Sequence, residues 1–133
     1  MIVADTNLVA YLLWDNPMRK AAEQAYRQDP EWIAPALWRS EFRNILCGLM
    51  RRRKLGLAAA LAYWWEAEAL VRVPDTEPDG ETVLGLAHAT ACTAYDCEFV
   101  ALAQRLGVPL VTEEAHILRA FPETAIDILR FLG

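Results

Sequence analysis

The sequence predicts an α/β fold in which a parallel sheet is covered by helices on both faces, and three observations carry that expectation. Short apolar runs alternate with longer helical patterns along the chain, as strand–helix–strand units require. Runs such as Ile2-Val3-Ala4 are apolar throughout, which suits strands buried on both faces. The 133 residues, 55% of them hydrophobic, are enough for one core and too few for two, so residues 1–133 are read as a single domain.

Taken in order, Ile2-Val3-Ala4 is a buried strand that runs into a polar turn at Asp5-Thr6-Asn7. Leu8 to Trp14 begins a helix. Pro17 fits the first turn of another, Met18 to Gln28, which Asp29-Pro30 ends. Trp32-Ile33-Ala34 is the second strand. Pro35 opens a long helix to about Arg53, with Gly56 beyond its end, and Leu57 to Leu70 is a further helix. Val71-Arg72-Val73 alternates like a strand, and Pro74 to Gly80 is a loop. Glu81 to Ala91 and Tyr95 to Leu106 are helices, the second closed by Gly107. Pro109-Leu110-Val111-Thr112 is a buried strand, Glu113 to Ala120 a short helix broken by Pro122, and Ala125 to Leu129 a last edge strand.

Bulk properties narrow the function classes. No uninterrupted apolar run is long enough to span a bilayer, and an acid interrupts the first residues, unlike a secretory signal; a cytoplasmic protein with no membrane partner is expected. Cys47, Cys92 and Cys97 are odd in number and spaced unlike a disulfide framework, so they read as small buried thiols. A net charge of −5 argues on its face against a nucleic-acid partner. Acids gathered around a cation, however, inflate that count without repelling phosphate.

Ligands of open α/β sheets bind beyond the carboxyl ends of the strands. Asp5 and Thr112-Glu113-Glu114 follow apolar strands and stand at such ends. On a 3.6-residue period Glu41 shares a stripe with Leu37, Ile45 and Leu49, and a carboxylate on an apolar stripe must be paired, protonated or bound to a cation. An arginine partner or a place at the helix edge would explain it equally well. Asp96 follows Thr93 at the spacing of a helix cap, which is reason enough for an acid there. Glu113 and Glu114 likewise fit a first helical turn. Together, though, Asp5, Glu41, Asp96 and Glu114 occupy positions that can meet at one sheet edge, and none has a basic neighbour in sequence. Oxygen-only ligation of that kind suits Mg²⁺ or Mn²⁺, ions that promote phosphodiester cleavage. Arg39, Arg43 and the run Arg51-Arg52-Arg53-Lys54 are candidate phosphate contacts, although a basic helix end needs no function to explain it.

The ordered set of Asp5-Thr6-Asn7 after the first strand, Glu41 on a mid-chain helix, Tyr95-Asp96-Cys97-Glu98-Phe99-Val100-Ala101-Leu102-Ala103, and Leu110-Val111-Thr112-Glu113-Glu114 resembles the PIN domain, in particular the VapC-type toxins of toxin–antitoxin pairs. The resemblance spans nearly the whole chain. It implies a PIN-like three-layer α/β/α sandwich, Mg²⁺- or Mn²⁺-dependent endonucleolytic cleavage of RNA, a homodimer, and inhibition by a VapB-like antitoxin. By position, Asp5, Glu41 and Asp96 take the family's metal-binding acids, with Glu114 where the family usually has Asp. Thr6 or Asn7 would hydrogen-bond near the metal, and Thr112 would support the last loop. His88 and His116 are read as structural or surface residues.

Rival readings fare less well. A phosphoaspartyl phosphatase needs a second acid where this chain has Asn7, and a dinucleotide-binding domain needs a glycine-rich turn after the first strand. The alternative from another class is a non-catalytic PIN-like module that binds a protein. Some of Trp14, Trp32, Trp38, Trp64 and Trp65 would then line a groove, although core packing explains most tryptophans.

Overall fold

In the computed structural model, which describes residues 1–133, five parallel strands form one sheet in the order β3-β2-β1-β4-β5. The strands are β1 (Ile2–Ala4), β2 (Trp32–Ile33), β3 (Val71–Arg72), β4 (Leu110–Val111) and β5 (Ala125–Ile126). The helices are α1 (Thr6–Leu13), α2 (Arg19–Gln28), α3 (Leu37–Arg51), α4 (Leu57–Leu70), α5 (Gly80–Ala89), α6 (Ala94–Leu106), α7 (Ala115–Ala120) and α8 (Ile128–Leu132). Sheet and helices form the expected three-layer sandwich. Ile2, Val3 and Ala4 are buried, as are Leu110 and Val111, which is why these runs carry no polar alternation.

The chain moves one way from β1 to β2 and β3, and then returns to place β4 on the other side of β1. Val3 pairs with Leu110 and Ala4 with Val111. The crevice beyond the carboxyl ends of β1 and β4 is therefore the switch point of the sheet, where such folds leave room for a ligand.

Element boundaries differ from expectation where side chains decide them. No turn separates β1 from α1. Asp5 has extended backbone angles, its carboxylate accepts from the Thr6 amide, and the helix starts at Thr6 rather than Leu8. The long helix stops at Arg51, two residues short, where Arg53 takes a positive φ of 56°. The last edge strand ends at Ile126 instead of Leu129, because Asp127 accepts from the Arg130 amide and starts α8. Gly107 closes α6 at φ 67°, a conformation that favours a residue without Cβ.

On α3 the fully buried stripe is Trp38, Phe42 and Leu46; Leu37, Glu41, Ile45 and Leu49 flank it and are only partly covered. Glu41 thus stands at the border of the core. The buried stripe meets α4 in an aromatic cluster: Trp38 stacks on Trp64 at 5.9 Å between ring centroids, and Trp14 contacts Phe42 at 5.9 Å and Tyr63 at 5.2 Å. Trp32 and Trp38 are buried and Trp14 and Trp64 partly so, leaving Trp65 as the one exposed tryptophan, at 67%. Phe42 touches three indole rings, so truncation leaves a cavity that rigid neighbours cannot fill. Phe42→Ala is expected to cost about 3–5 kcal/mol of folding stability, read from the midpoint of urea unfolding.

Candidate active site

Only three polar or charged residues are fully buried in this protein, namely Asp5, Thr6 and Thr112, and all three lie at the switch point. Asp5 ends β1 and begins α1. Its amide donates to Val111 O, so it still belongs to the sheet, while its carbonyl accepts from the amides of Leu8 and Val9. The carboxylate is held at both oxygens: Thr6 N donates to Oδ1 at 2.8 Å and Thr112 Oγ1 to Oδ2 at 2.6 Å. The residue is 9% exposed, and burial pushes the carboxyl pKa above the usual value.

The other acids are brought to the same place by three different elements. Thr6 Oγ1, on the first turn of α1, donates to Glu41 Oε1 of α3 at 2.7 Å. Burial raises the Glu41 pKa, and the charges of Asp5, Asp96 and Glu98 raise it further. Asn7 Nδ2 donates to Glu114 Oε1 at 3.0 Å. Glu114 follows β4 as the residue before α7, and its amide donates to Thr112 Oγ1 at 3.1 Å. The longer side chain at this position therefore still reaches the centre. Asp96 forms the expected cap: its amide donates to Thr93 Oγ1 and its Oδ2 accepts from the Thr93 amide. That capping role leaves Oδ1 free of protein donors.

Asp5, Thr6, Asn7, Glu41, Asp96 and Glu114 line one open cleft of about 260 Å³, completed by Asn44 and Ile45. No arginine or lysine lines it. Nearby, the Tyr11 phenol has its pKa raised by burial and then by the charges of Glu113, Glu114 and Asp5, the last two of which line the cleft. Thr112 stands behind the cleft as a hydrogen-bonding support. Glu113 is turned away and accepts the Ile128 amide at the start of α8 at 2.8 Å. Glu98 lies outside the lining, half-buried, with its pKa raised by burial and by Glu77.

The two arginines singled out in the sequence are not in the cleft. Arg39 Nε pairs with Glu68 at 3.1 Å, and the Arg43 guanidinium lies 5.2 Å from the Trp64 ring centroid. The basic run is placed differently. Asn44 and Ile45 also line a second cleft of about 520 Å³, whose remaining walls are Gly48, Arg51 and Arg52. Arg51 and Arg52 are exposed and make no ion pair.

Two site residues escape a reading of the sequence. Asn44 lies three residues from Glu41, a spacing that puts both on one helix face. His116, expected as a structural or surface residue, is 43% exposed but sits within the acidic group: its Nε2 is 2.9 Å from Asp96 Oδ2 and its Nδ1 3.7 Å from Glu114 Oε2. Its position two residues after Glu114, in the first turn of α7, is the available signal.

The PIN domain family model matches residues 2–122. The chain belongs to the PIN domain family. This is a nuclease-type fold, and a sheet-end cleft lined with acids is consistent with it. Among solved structures, this PIN domain superposes on PAE2754 from Pyrobaculum aerophilum with a TM-score of 0.79 at 22% identity, covering 99% of this chain and 96% of that one. A toxin–antitoxin complex from Klebsiella pneumoniae gives a TM-score of 0.66 at 14% identity, covering 96% and 98%. At these identities the likeness is one of fold. No curated protein sequence matches. No helix is long and apolar enough to cross a membrane.

The raised pKa of Asp5 has a defined consequence for stability. A carboxyl that binds its proton more tightly when folded lowers stability as pH rises from the unfolded value, 3.8, through the raised folded one. In metal-free protein Asp5→Asn is therefore expected to raise the Tm at neutral pH by a few degrees, with the gain fading as pH falls through the raised folded pKa towards 3.8. Thermal unfolding of both proteins across that pH range is the measurement.

Proposed function

We propose that this PIN domain is a Mg²⁺- or Mn²⁺-dependent endoribonuclease, the toxin of a VapBC-like toxin–antitoxin pair. It acts in the cytoplasm as a homodimer and is held in check by a VapB-like antitoxin. One observation carries the reading: four carboxylates from β1, α3, α6 and the end of β4 face one cleft that holds no arginine or lysine. The toxin–antitoxin complex among the structures of similar fold supports the partner.

The donor set fits a hard divalent cation. All four acidic ligand groups offer oxygen, and Glu41 Oε2 and Asp96 Oδ1 accept no hydrogen bond from the protein. Asp5, Glu41, Asp96 and Glu114 are the residues that would hold it. When bound, such an ion makes water a stronger nucleophile at neutral pH and neutralises charge on the scissile phosphate.

The chain's own contribution is placement. Thr112 fixes Asp5, Thr6 fixes Glu41 and Asn7 fixes Glu114, through hydrogen bonds of 2.6, 2.7 and 3.0 Å, so the carboxylates need little reorganisation to bind. Because burial and mutual repulsion raise the pKa values of Asp5 and Glu41, protons compete with the cation, and its affinity falls as pH falls. Asn44 lines both clefts, and Arg51 and Arg52 beyond it present unpaired charge to the phosphates of an RNA strand leading to the acids.

Antitoxin-free protein should cleave single-stranded RNA with Mg²⁺ or Mn²⁺ and stop on addition of EDTA, while Asp5→Asn and Asp96→Asn each lower kcat by at least about a hundredfold. Undiminished cleavage by either variant refutes the assignment. A second prediction concerns the strand path. Arg51→Ala and Arg52→Ala should raise KM with little change in kcat, and each should flatten the slope of log affinity against log salt by about 0.7 for every phosphate that the arginine neutralises. RNA binding titrated at several salt concentrations measures it.

A further inference from the structure

Beside the acidic cleft lies a second group of ligand atoms with different chemistry. Cys92 is buried just ahead of Thr93, the cap of α6, and its amide is fixed by Thr90 Oγ1 at 3.2 Å. His116 comes from the first turn of α7. One ligand atom each from Cys92, Asp96 and His116 lies within 4.8 Å of the other two. Bonds of about 2.0–2.3 Å in a tetrahedral site put ligand atoms roughly 3.3–3.8 Å apart, so about 1 Å of side-chain movement would close the set.

We propose that Cys92, Asp96 and His116 form a separate binding site for Zn²⁺ or a similar borderline-soft cation, and that this site competes with the acidic cleft for Asp96. A sulfur, an imidazole nitrogen and one carboxylate oxygen select such an ion over Mg²⁺, whereas the all-oxygen cleft has the opposite preference. Three protein ligands leave a fourth position for water, and the 43% exposure of the His116 side chain gives the ion a way in. The Cys92 thiol has only a weak contact to give up, to His116 O at 3.9 Å, and releases its proton to solvent on binding. Asp96 also lines the cleft, so an ion held by Cys92 and His116 draws that carboxylate away from the catalytic cation. This last step rests on the nuclease reading; the binding itself does not.

Co²⁺ titration of the full chain tests the binding. One ion per chain is expected, with thiolate-to-Co²⁺ charge-transfer absorption in the near ultraviolet. That band should vanish in Cys92→Ser. His116→Gln, a change at a more exposed position that spares the core, should lower Co²⁺ affinity by at least about tenfold. Mn²⁺ binding to Cys92→Ser, followed by electron paramagnetic resonance, should match the parent. Co²⁺ binding without the thiolate band, or unaltered in His116→Gln, overturns the site. For the competition, Zn²⁺ should inhibit RNA cleavage by the parent and inhibit Cys92→Ser at least about tenfold less. Equal inhibition of both overturns that part alone. A thiolate band in a protein that cleaves no RNA under any metal condition would count against the nuclease reading and leave the Zn²⁺ site standing.

Discussion

The hydrogen bond from Thr112 Oγ1 to Asp5 Oδ2 ties the end of β4 to the end of β1 across 107 residues of sequence, and the acidic centre is organised around it. Asp5 is a charge carried into the interior, which in isolation costs several kcal/mol. Two hydrogen bonds offset part of that cost but not all of it, as the direction of its pKa shows. Thr112 also accepts from the Glu114 amide, so one hydroxyl sets the position of two carboxylates from opposite ends of the chain. The fold brings like charges together and, apart from His116 beside Asp96 and Glu114, holds them with hydroxyl and amide donors instead of arginine or lysine. A centre built in that way is short of positive charge by construction.

Much of this arrangement is legible in the amino-acid sequence because it follows from local rules. A fully apolar run ending in an acid identifies a buried strand and its carboxyl end, which is how Asp5 and the Thr112-Glu113-Glu114 segment are found. The cap at Thr93 and Asp96 is likewise a matter of spacing. Parallel alternation of strands and helices gives the layers. The sequence overstates the burial of Glu41, because an assumed period cannot fix where the core meets a helix; the stripe of Trp38, Phe42 and Leu46 lies beside the one expected.

What stays illegible depends on long-range side-chain choices. Nothing near Arg39 or Arg43 in the sequence announces that Glu68 and the Trp64 ring, both on α4, engage them. Those contacts remove two cations from the vicinity of the acids. Glu113 and Glu114 are adjacent and chemically alike, yet one anchors α8 and the other enters the cleft, a distinction set by the direction of the chain after β4. His116 is easily missed when a histidine is considered as a member of a catalytic pair and not as a neighbour of carboxylates. The net charge of −5 is equally silent about placement: four of the acids line one cleft, while Arg51 and Arg52 line an adjoining one.

The direct junction of β1 and α1 at Asp5 leaves no slack between scaffold and carboxylate. Side chains alternate between the two sides of a strand, so a slip of one residue in the pairing of β1 with β4 would carry Asp5 to the opposite side of the sheet. Misaligned molecules would lose their central acid outright instead of holding it slightly out of place. Correct alignment of β1 is thus an all-or-none condition for assembling the charged centre, and insertions at this junction have no neutral length.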